Sequence, residues 1–247
     1  MNYQGKIVIV TGAANGIGKV ISLAFLKLGA IVVGLDIDAN NGKNLFLGYK
    51  KAGLKADFYK IDLTNVKKTK VVFEKILAKY QRVDILINNA GKTNFKPLLE
   101  LTIEEWDEVI NVNLRASFIL AQEFIRHYQK ETYGRIINIS STRFLMSEEH
   151  SEAYAASKGG IVALTHALAI SVRAKNFTVN AISPGWIEHQ NYSALTTADH
   201  AQHPAQRVGK PEDIARLCLF LADEKNDFIT GENIDIDGGM TKKMIYF

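Results

Sequence analysis

Residues Thr11-Gly12-Ala13-Ala14-Asn15-Gly16-Ile17-Gly18 decide the fold. They follow an apolar, β-branched run, residues 6–11, and lead into residues 17–28, where apolar side chains recur at helical spacing. The first run reads as a strand buried on both faces and the second as an amphipathic helix. A glycine-rich turn between such a strand and helix opens a doubly wound α/β sheet. Gly12 permits the tight turn, Gly16 lets backbone approach a diphosphate, and Gly18 lets the helix lie close to the sheet. The helix start, from Asn15 through Ile17, offers unpaired N–H groups and a partial positive charge to phosphates.

Outward from this turn, strands and helices alternate. Further strands are expected at residues 30–36, 56–61, 83–87, 134–139, 179–182 and 234–236. Helices are expected at 40–52, from a Thr64 cap to about Tyr80, at 102–129 and at 152–175. The alternation implies a Rossmann-like, doubly wound parallel sheet of about seven strands with helices on both faces. No repeat or low-complexity linker divides the 247 residues, so one dinucleotide-binding and catalytic domain is expected over residues 1–247. The polar stretch 188–204 lacks periodicity, and a lid is expected at about 188–206.

Hydrophobic residues make up 47%, enough for a full core. No apolar run reaches the roughly 20 residues of a membrane span. The +4 charge is scattered, with short clusters at Lys50-Lys51 and Lys67-Lys68-Lys70. Neither cluster is interleaved with aromatics, so no nucleic-acid and no membrane partner is expected. The single cysteine, Cys218, sits in the apolar run 217–220 and reads as a buried thiol. A cytoplasmic protein is the expectation.

The Gly-x-x-x-Gly-x-Gly spacing resembles that of the short-chain dehydrogenase/reductase family, and the resemblance covers nearly the whole chain. It includes Asn88-Asn89-Ala90-Gly91 after the fourth strand and Asp62-Leu63 after the third. It also includes Tyr154-Ala155-Ala156-Ser157-Lys158, with Ser141 thirteen residues before Tyr154, and Asn113 upstream. Tyr154 and Lys158, four apart on a helix, share a face. Ser140 and Asn111 rival Ser141 and Asn113, but spacing and the Asn-Leu pair favour the latter two.

The resemblance implies hydride transfer between a nicotinamide dinucleotide and an alcohol or ketone, with Tyr154 as general acid/base. A free tyrosine titrates near ~10, too high for a base at neutral pH. The Lys158 ammonium and the positive nicotinamide ring would both favour phenolate. Ser141 would hold the substrate oxygen, Lys158 the nicotinamide ribose, and Asn113 a water leading to solvent. Asp62, Leu63, Asn89, Ala90 and Gly91 would contact the cofactor, as would Pro184, Gly185 and the backbone of Ile187. Asp36 ends the second strand about 20 residues past the glycines, placed to accept ribose hydroxyls and repel a 2′-phosphate. Asn15 and Ile37 stand where a phosphate-binding base would be, so NAD is expected over NADP. Asp36 could instead cap the next helix, a job open to Asp38 as well.

Position nominates Thr93, Arg143, Met146, Trp186, His189 and Tyr192 for the substrate pocket. Arg143 either pairs with a substrate carboxylate or phosphate or joins a structural ion pair. His189 stands where many relatives have threonine. His189, His200 and His203 lack the carboxylates or cysteines of a metal site, and no metal is expected. The core motifs resemble those of 3-oxoacyl-thioester reductases and sugar dehydrogenases alike. They serve the cofactor and leave the substrate open. A catalytically silent NAD-binding module is the alternative. The resemblance further implies a homo-oligomer, a tetramer or dimer, joined through helices 102–129 and 152–175. The tail Met244-Ile245-Tyr246-Phe247 is apolar for a free end and is expected to dock on a neighbour or on the pocket.

Overall fold

The computed structural model describes residues 1–128, 133–174 and 176–244. The expected helix ends at Gln129 and Lys175 and the tail Ile245-Tyr246-Phe247 lie outside the described residues. The chain runs β1 (Ile7–Thr11), α1 (Gly16–Lys27), β2 (Ile31–Asp36), α2 (Ala39–Lys51), β3 (Ala56–Lys60), α3 (Val66–Tyr80) and β4 (Ile85–Asn88). It continues through α4 (Ile103–Ile110), α5 (Ala116–His127), β5 (Gly134–Ile139), α6 (Glu152–Val172), β6 (Phe177–Pro184), α7 (Thr197–Ala201), α8 (Pro211–Ala222) and β7 (Asn233–Ile236).

All seven strands pair in parallel, in the order β3-β2-β1-β4-β5-β6-β7. The inner strands β1, β4, β5 and β6 are buried along their whole length, as a sheet covered on both faces requires. One face seats Ile21, Phe25, Ile214 and Cys218 of α1 and α8 on Val8, Val10 and Ile85. The other seats Phe73, Ile76, Leu120 and Phe124 of α3 and α5 on Ile9, Leu86 and Ile136. Strand order reverses between β1 and β4, and a crevice opens there at the strands' carboxyl ends. The glycine turn and the Asn88–Gly91 segment emerge side by side at that crevice.

Several expectations need correction. The helix expected at 102–129 is two, α4 and α5, joined by a π-helical turn at Asn111–Arg115. The wider turn keeps apolar spacing nearly unbroken, so periodicity does not reveal it. Thr64 does not cap α3; the Asn65 side chain accepts from Lys68 N at 3.0 Å, while the Thr64 hydroxyl donates to Asp62 at 2.7 Å. Asp38, not Asp36, caps α2 by accepting from Asn41 N at 3.0 Å. The 188–206 stretch carries a 3₁₀ turn, Tyr192–Ala194, and the short α7, closed by a Thr196–Asp199 capping box. The helix α8 was not expected, although Pro211 at its first turn and buried Ile214, Cys218 and Leu221 give it a start signal and an apolar face. Finally, α6 is long and apolar enough to cross a bilayer, yet it packs on β6 and buries Ser157, Lys158 and Thr165.

Candidate active site

The glycine turn is held by close backbone contact. Gly12 adopts φ +63°, and its N–H donates to Leu35 O at 2.8 Å. A Cβ on Gly18 would lie 2.1 Å from the Gly12 carbonyl oxygen, so no larger residue fits there. Asn89 locks the turn to β4: its Nδ2 donates to Thr11 O at 2.9 Å and to Gly12 O at 3.3 Å. Asn88 serves the sheet instead, donating to Asn138 Oδ1 at 2.8 Å.

Beside this turn lies a cleft of about 600 Å³. Its walls include Gly12, Asn15, Gly16, Asp36, Asp62, Leu63, Asn89, Ala90 and Gly91. Ile17 and Gly18 stand just behind it in the first turn of α1. The Asp36 carboxylate accepts from Ala14 N and Asp38 N, both at 2.9 Å. A carboxylate has about four acceptor positions, so capacity for ribose hydroxyls remains. The Asp38 carboxylate accepts from Asn15 Nδ2 at 3.3 Å, which brings a second negative charge to the same end. At the other end a Cβ on Gly91 would stand 3.6 Å from Lys158 Nζ and 3.7 Å from Asn113 Oδ1. The absence of that atom joins the cleft to the second group of expected residues. Cleft, open glycine turn and carboxylate fit an adenosine diphosphate lying across the strand ends.

That second group is one cluster. The Ser141 hydroxyl lies near the Tyr154 phenol and favours its ionised form. Lys158 Nζ stands 5.4 Å from the Tyr154 ring centre and donates to Ile139 O at 2.8 Å. The π turn aims Asn113 inward, where its side chain accepts from Lys92 N at 2.7 Å and donates to Lys92 O at 3.0 Å and Ser157 Oγ at 2.9 Å. Ser157 in turn donates to Tyr154 O at 2.7 Å. Ser140 is buried and donates to Lys158 O at 2.8 Å, which removes it as a rival to Ser141. Asn111 is only half-buried at the end of α4. Burial pulls the Lys158 ammonium from its ordinary 10.5 down to about 8. Burial pushes the Tyr154 phenol above its ordinary value, against the nearby Ser141 hydroxyl and the Arg143 charge. The expected phenolate is therefore not favoured in the free chain, because desolvation outweighs the stabilising groups.

A family described as enoyl-(acyl carrier protein) reductase matches residues 12–241. An oxidoreductase from Thermotoga maritima, named as uncharacterized, is 44% identical, with 98% of each chain covered. A 3-oxoacyl-[acyl-carrier-protein] reductase from the same organism is 37% identical over 97% of this chain and 99% of its own. The chain belongs to the short-chain dehydrogenase/reductase family. An apo enzyme of the group called SCOR, from Clostridium thermocellum, superposes on this short-chain dehydrogenase/reductase with a TM-score of 0.87. It is 42% identical, with 100% of this chain and 96% of the other covered. The chain is thus an oxidoreductase, of a family that works with a nicotinamide cofactor.

Around this dehydrogenase/reductase core the expected substrate residues scatter. His189 does not face the Tyr154 cluster; its ring atoms would stand 3.7 Å from a Cβ on Gly16, and it lines the cofactor cleft. Trp186 lines a different cavity, with Arg207 and Asp213, and its ring faces the buried His203. Tyr192 donates to Val208 O at 2.8 Å and rests against His200. Arg143 is paired with Glu148, while its N–H donates to Ser141 Oγ at 3.2 Å. Met146 lines a cavity of about 520 Å³ with Leu145, Gln202, Met240, Thr241 and Lys243. Thr93 is exposed. Pro184, Gly185 and Ile187, expected to contact the cofactor, do not line the cleft, and Ile187 lines the cavity that holds Trp186. Gly185 N donates to Ile236 O at 2.8 Å, extending the pairing past Pro184. Ile187 bridges Gly209 through bonds made by Trp186 and Glu188, so its own backbone N–H and C=O take no part in that bridge.

The sequence reading missed Lys92, Phe95 and Ser157. Phe95 meets the Tyr154 ring edge-on at 6.1 Å. Ser157 lay inside the quoted Tyr-Ala-Ala-Ser-Lys string, so that string held its signal. Lys92 follows Gly91 directly, and no spacing rule marks it.

Proposed function

We propose that this chain is an NAD-dependent dehydrogenase/reductase that moves a hydride between NAD(H) and the carbon of a CH–OH or ketone group. The observation that carries the reading is the Ser141–Tyr154 hydroxyl pair with the buried Lys158 beside it. The nicotinamide ring, when bound, supplies or accepts the hydride. Tyr154 Oη gives a proton to the substrate oxygen in reduction and takes it in oxidation, and Ser141 Oγ holds that oxygen in place. Lys158 carries a charge that pulls the Tyr154 proton toward release, with Asn113 bracing the backbone beside them. The hydroxyl pair suits an oxygen-bearing carbon. That favours alcohol and ketone chemistry over the carbon–carbon double bond named in the family description.

Asp36 supports NAD over NADP, because a 2′-phosphate at that end of the cleft would meet a like charge. We further infer one domain with a substrate lid over residues 188–206, cytoplasmic placement and a homo-oligomer. Exposed Phe118 on α5 and Ile170 on α6 support the interface expected on those helices. Light scattering that returns only monomers would remove the oligomer.

The test is Tyr154→Phe, assayed against a panel of alcohols and ketones by nicotinamide absorbance. Turnover is expected to fall by about 10³-fold while NADH binding stays unchanged. Unchanged turnover sinks the proton role. A wild-type chain that binds NADH and turns over no substrate in the panel favours the silent NAD-binding module.

A further inference from the structure

The cofactor cleft is poorly charged for its cargo. Its walls carry the carboxylates of Asp36, Asp62 and Glu108 but, among the described residues, only one lysine or arginine, Lys92. The nicotinamide dinucleotides carry a diphosphate that three acids repel. Lys92 follows Gly91 at the junction between the cleft and the Tyr154 cluster. Both of its backbone groups are gripped by the Asn113 side chain, at 2.7 and 3.0 Å, so the root of the side chain is fixed. Its ammonium reaches α4 and meets Glu108 Oε1 at 2.6 Å. The two side chains are 42% and 51% exposed, which decides how tightly they hold each other. A pair this open holds only weakly. A lysine on a flexible stem exchanges partners with little reorganisation.

We propose that Lys92 is an ionic switch on the cofactor cleft. Glu108 holds its ammonium in the free protein, and the ammonium passes to the dinucleotide diphosphate on binding. The proposal rests on the dinucleotide reading above. It makes Glu108 a competitor of the ligand, so the two residues must act with opposite sign. A merely structural ion pair would make both substitutions harmful in the same direction.

Dissociation constants for NADH, ADP-ribose and adenosine, measured by calorimetry on the full chain, test this. Lys92→Gln is expected to weaken NADH and ADP-ribose by about tenfold each. Glu108→Gln is expected to tighten both by about threefold, and the double variant to keep the lysine deficit. Adenosine, which has no phosphate, is expected to change in none of them. Thermal midpoints without ligand should stay within about 2 °C of wild type, since the pair is exposed. If both single variants weaken binding, or neither shifts it by twofold, the switch is overturned while the cofactor reading stands. If the wild type binds neither NADH nor ADP-ribose, both fall together.

Discussion

The two banks of the site are built differently. The glycine-turn bank rests mainly on close backbone contact, Gly12 N on Leu35 O and Gly18 against the Gly12 carbonyl, with the Asn89 side chain tying Thr11 and Gly12 to β4. The segment after β6 that carries the proposed lid is held by side-chain clasps. Tyr192 donates to Val208 O, Val208 N donates to His200 Nδ1 at 3.1 Å, and Arg207 grips Asp213 with two bonds of 2.7 and 2.8 Å. A backbone-built bank admits few residue types at each position and tolerates little change. A clasped bank can exchange one clasp for another, which suits the lid role proposed for this segment.

Substitutions can break that contrast. The largest effect is expected from Gly18→Ala, whose Cβ would fall 2.1 Å from a backbone oxygen. Overpacking of this kind should cost about 3 kcal/mol and lower the thermal midpoint by roughly 10 °C. A midpoint within about 2 °C of wild type would mean that the glycine turn yields as easily as the lid.

Next comes Lys158→Met. Lys158 titrates near 8 when folded against its ordinary 10.5, so between those values the unfolded chain binds more protons. Its contribution to stability therefore rises with pH across that window and is least favourable below it. The variant should be more stable than wild type by roughly 1–3 kcal/mol at pH 7, with the gap closing by pH 10. Urea unfolding at several pH values reads this, and a gap independent of pH would show that the ammonium is not strained by burial.

Asp36→Asn sharpens the contrast by acting on ligand choice alone. It should shift the NADH-to-NADPH affinity ratio toward NADPH by about tenfold, as loss of one close like charge allows. Side-by-side titrations decide it, and tighter NADPH binding by the wild type would overturn the role given to Asp36. Tyr192→Phe should do least: a two- to fivefold rise in substrate KM with NADH affinity unchanged, for loss of one hydrogen bond of about 1 kcal/mol. A larger loss in NADH affinity than in KM would place the clasp on the cofactor bank.

How much of the site was legible follows the same division. Gly12, Gly16 and Gly18 could be read because only glycine serves where φ is positive or another backbone comes close. Ser141 was separable from Ser140 by its spacing to Tyr154, and the buried bond from Ser140 to Lys158 O agrees. His189, Trp186 and Tyr192 were read together as substrate residues because they are neighbours in sequence. The chain turns at the Ile187–Gly209 bridge and sends them to three different surroundings. The Tyr154 phenol was expected to be acidified, yet the burial that raises it is a property of the assembled site.

The sequence by itself determined the alternation of strands and helices, the glycine turn at the sheet's switch point, and the order of Asn113, Ser141, Tyr154 and Lys158. Those features rest on local periodicity and on residue types that no neighbour can replace. Only the tertiary structure decided that Asn113 rides on a π turn, that Arg143 is spent on Glu148, and that Lys92 lies across from Glu108 in the cofactor cleft. Each of these depends on contacts set by packing and loop path, whose partners no local spacing rule specifies.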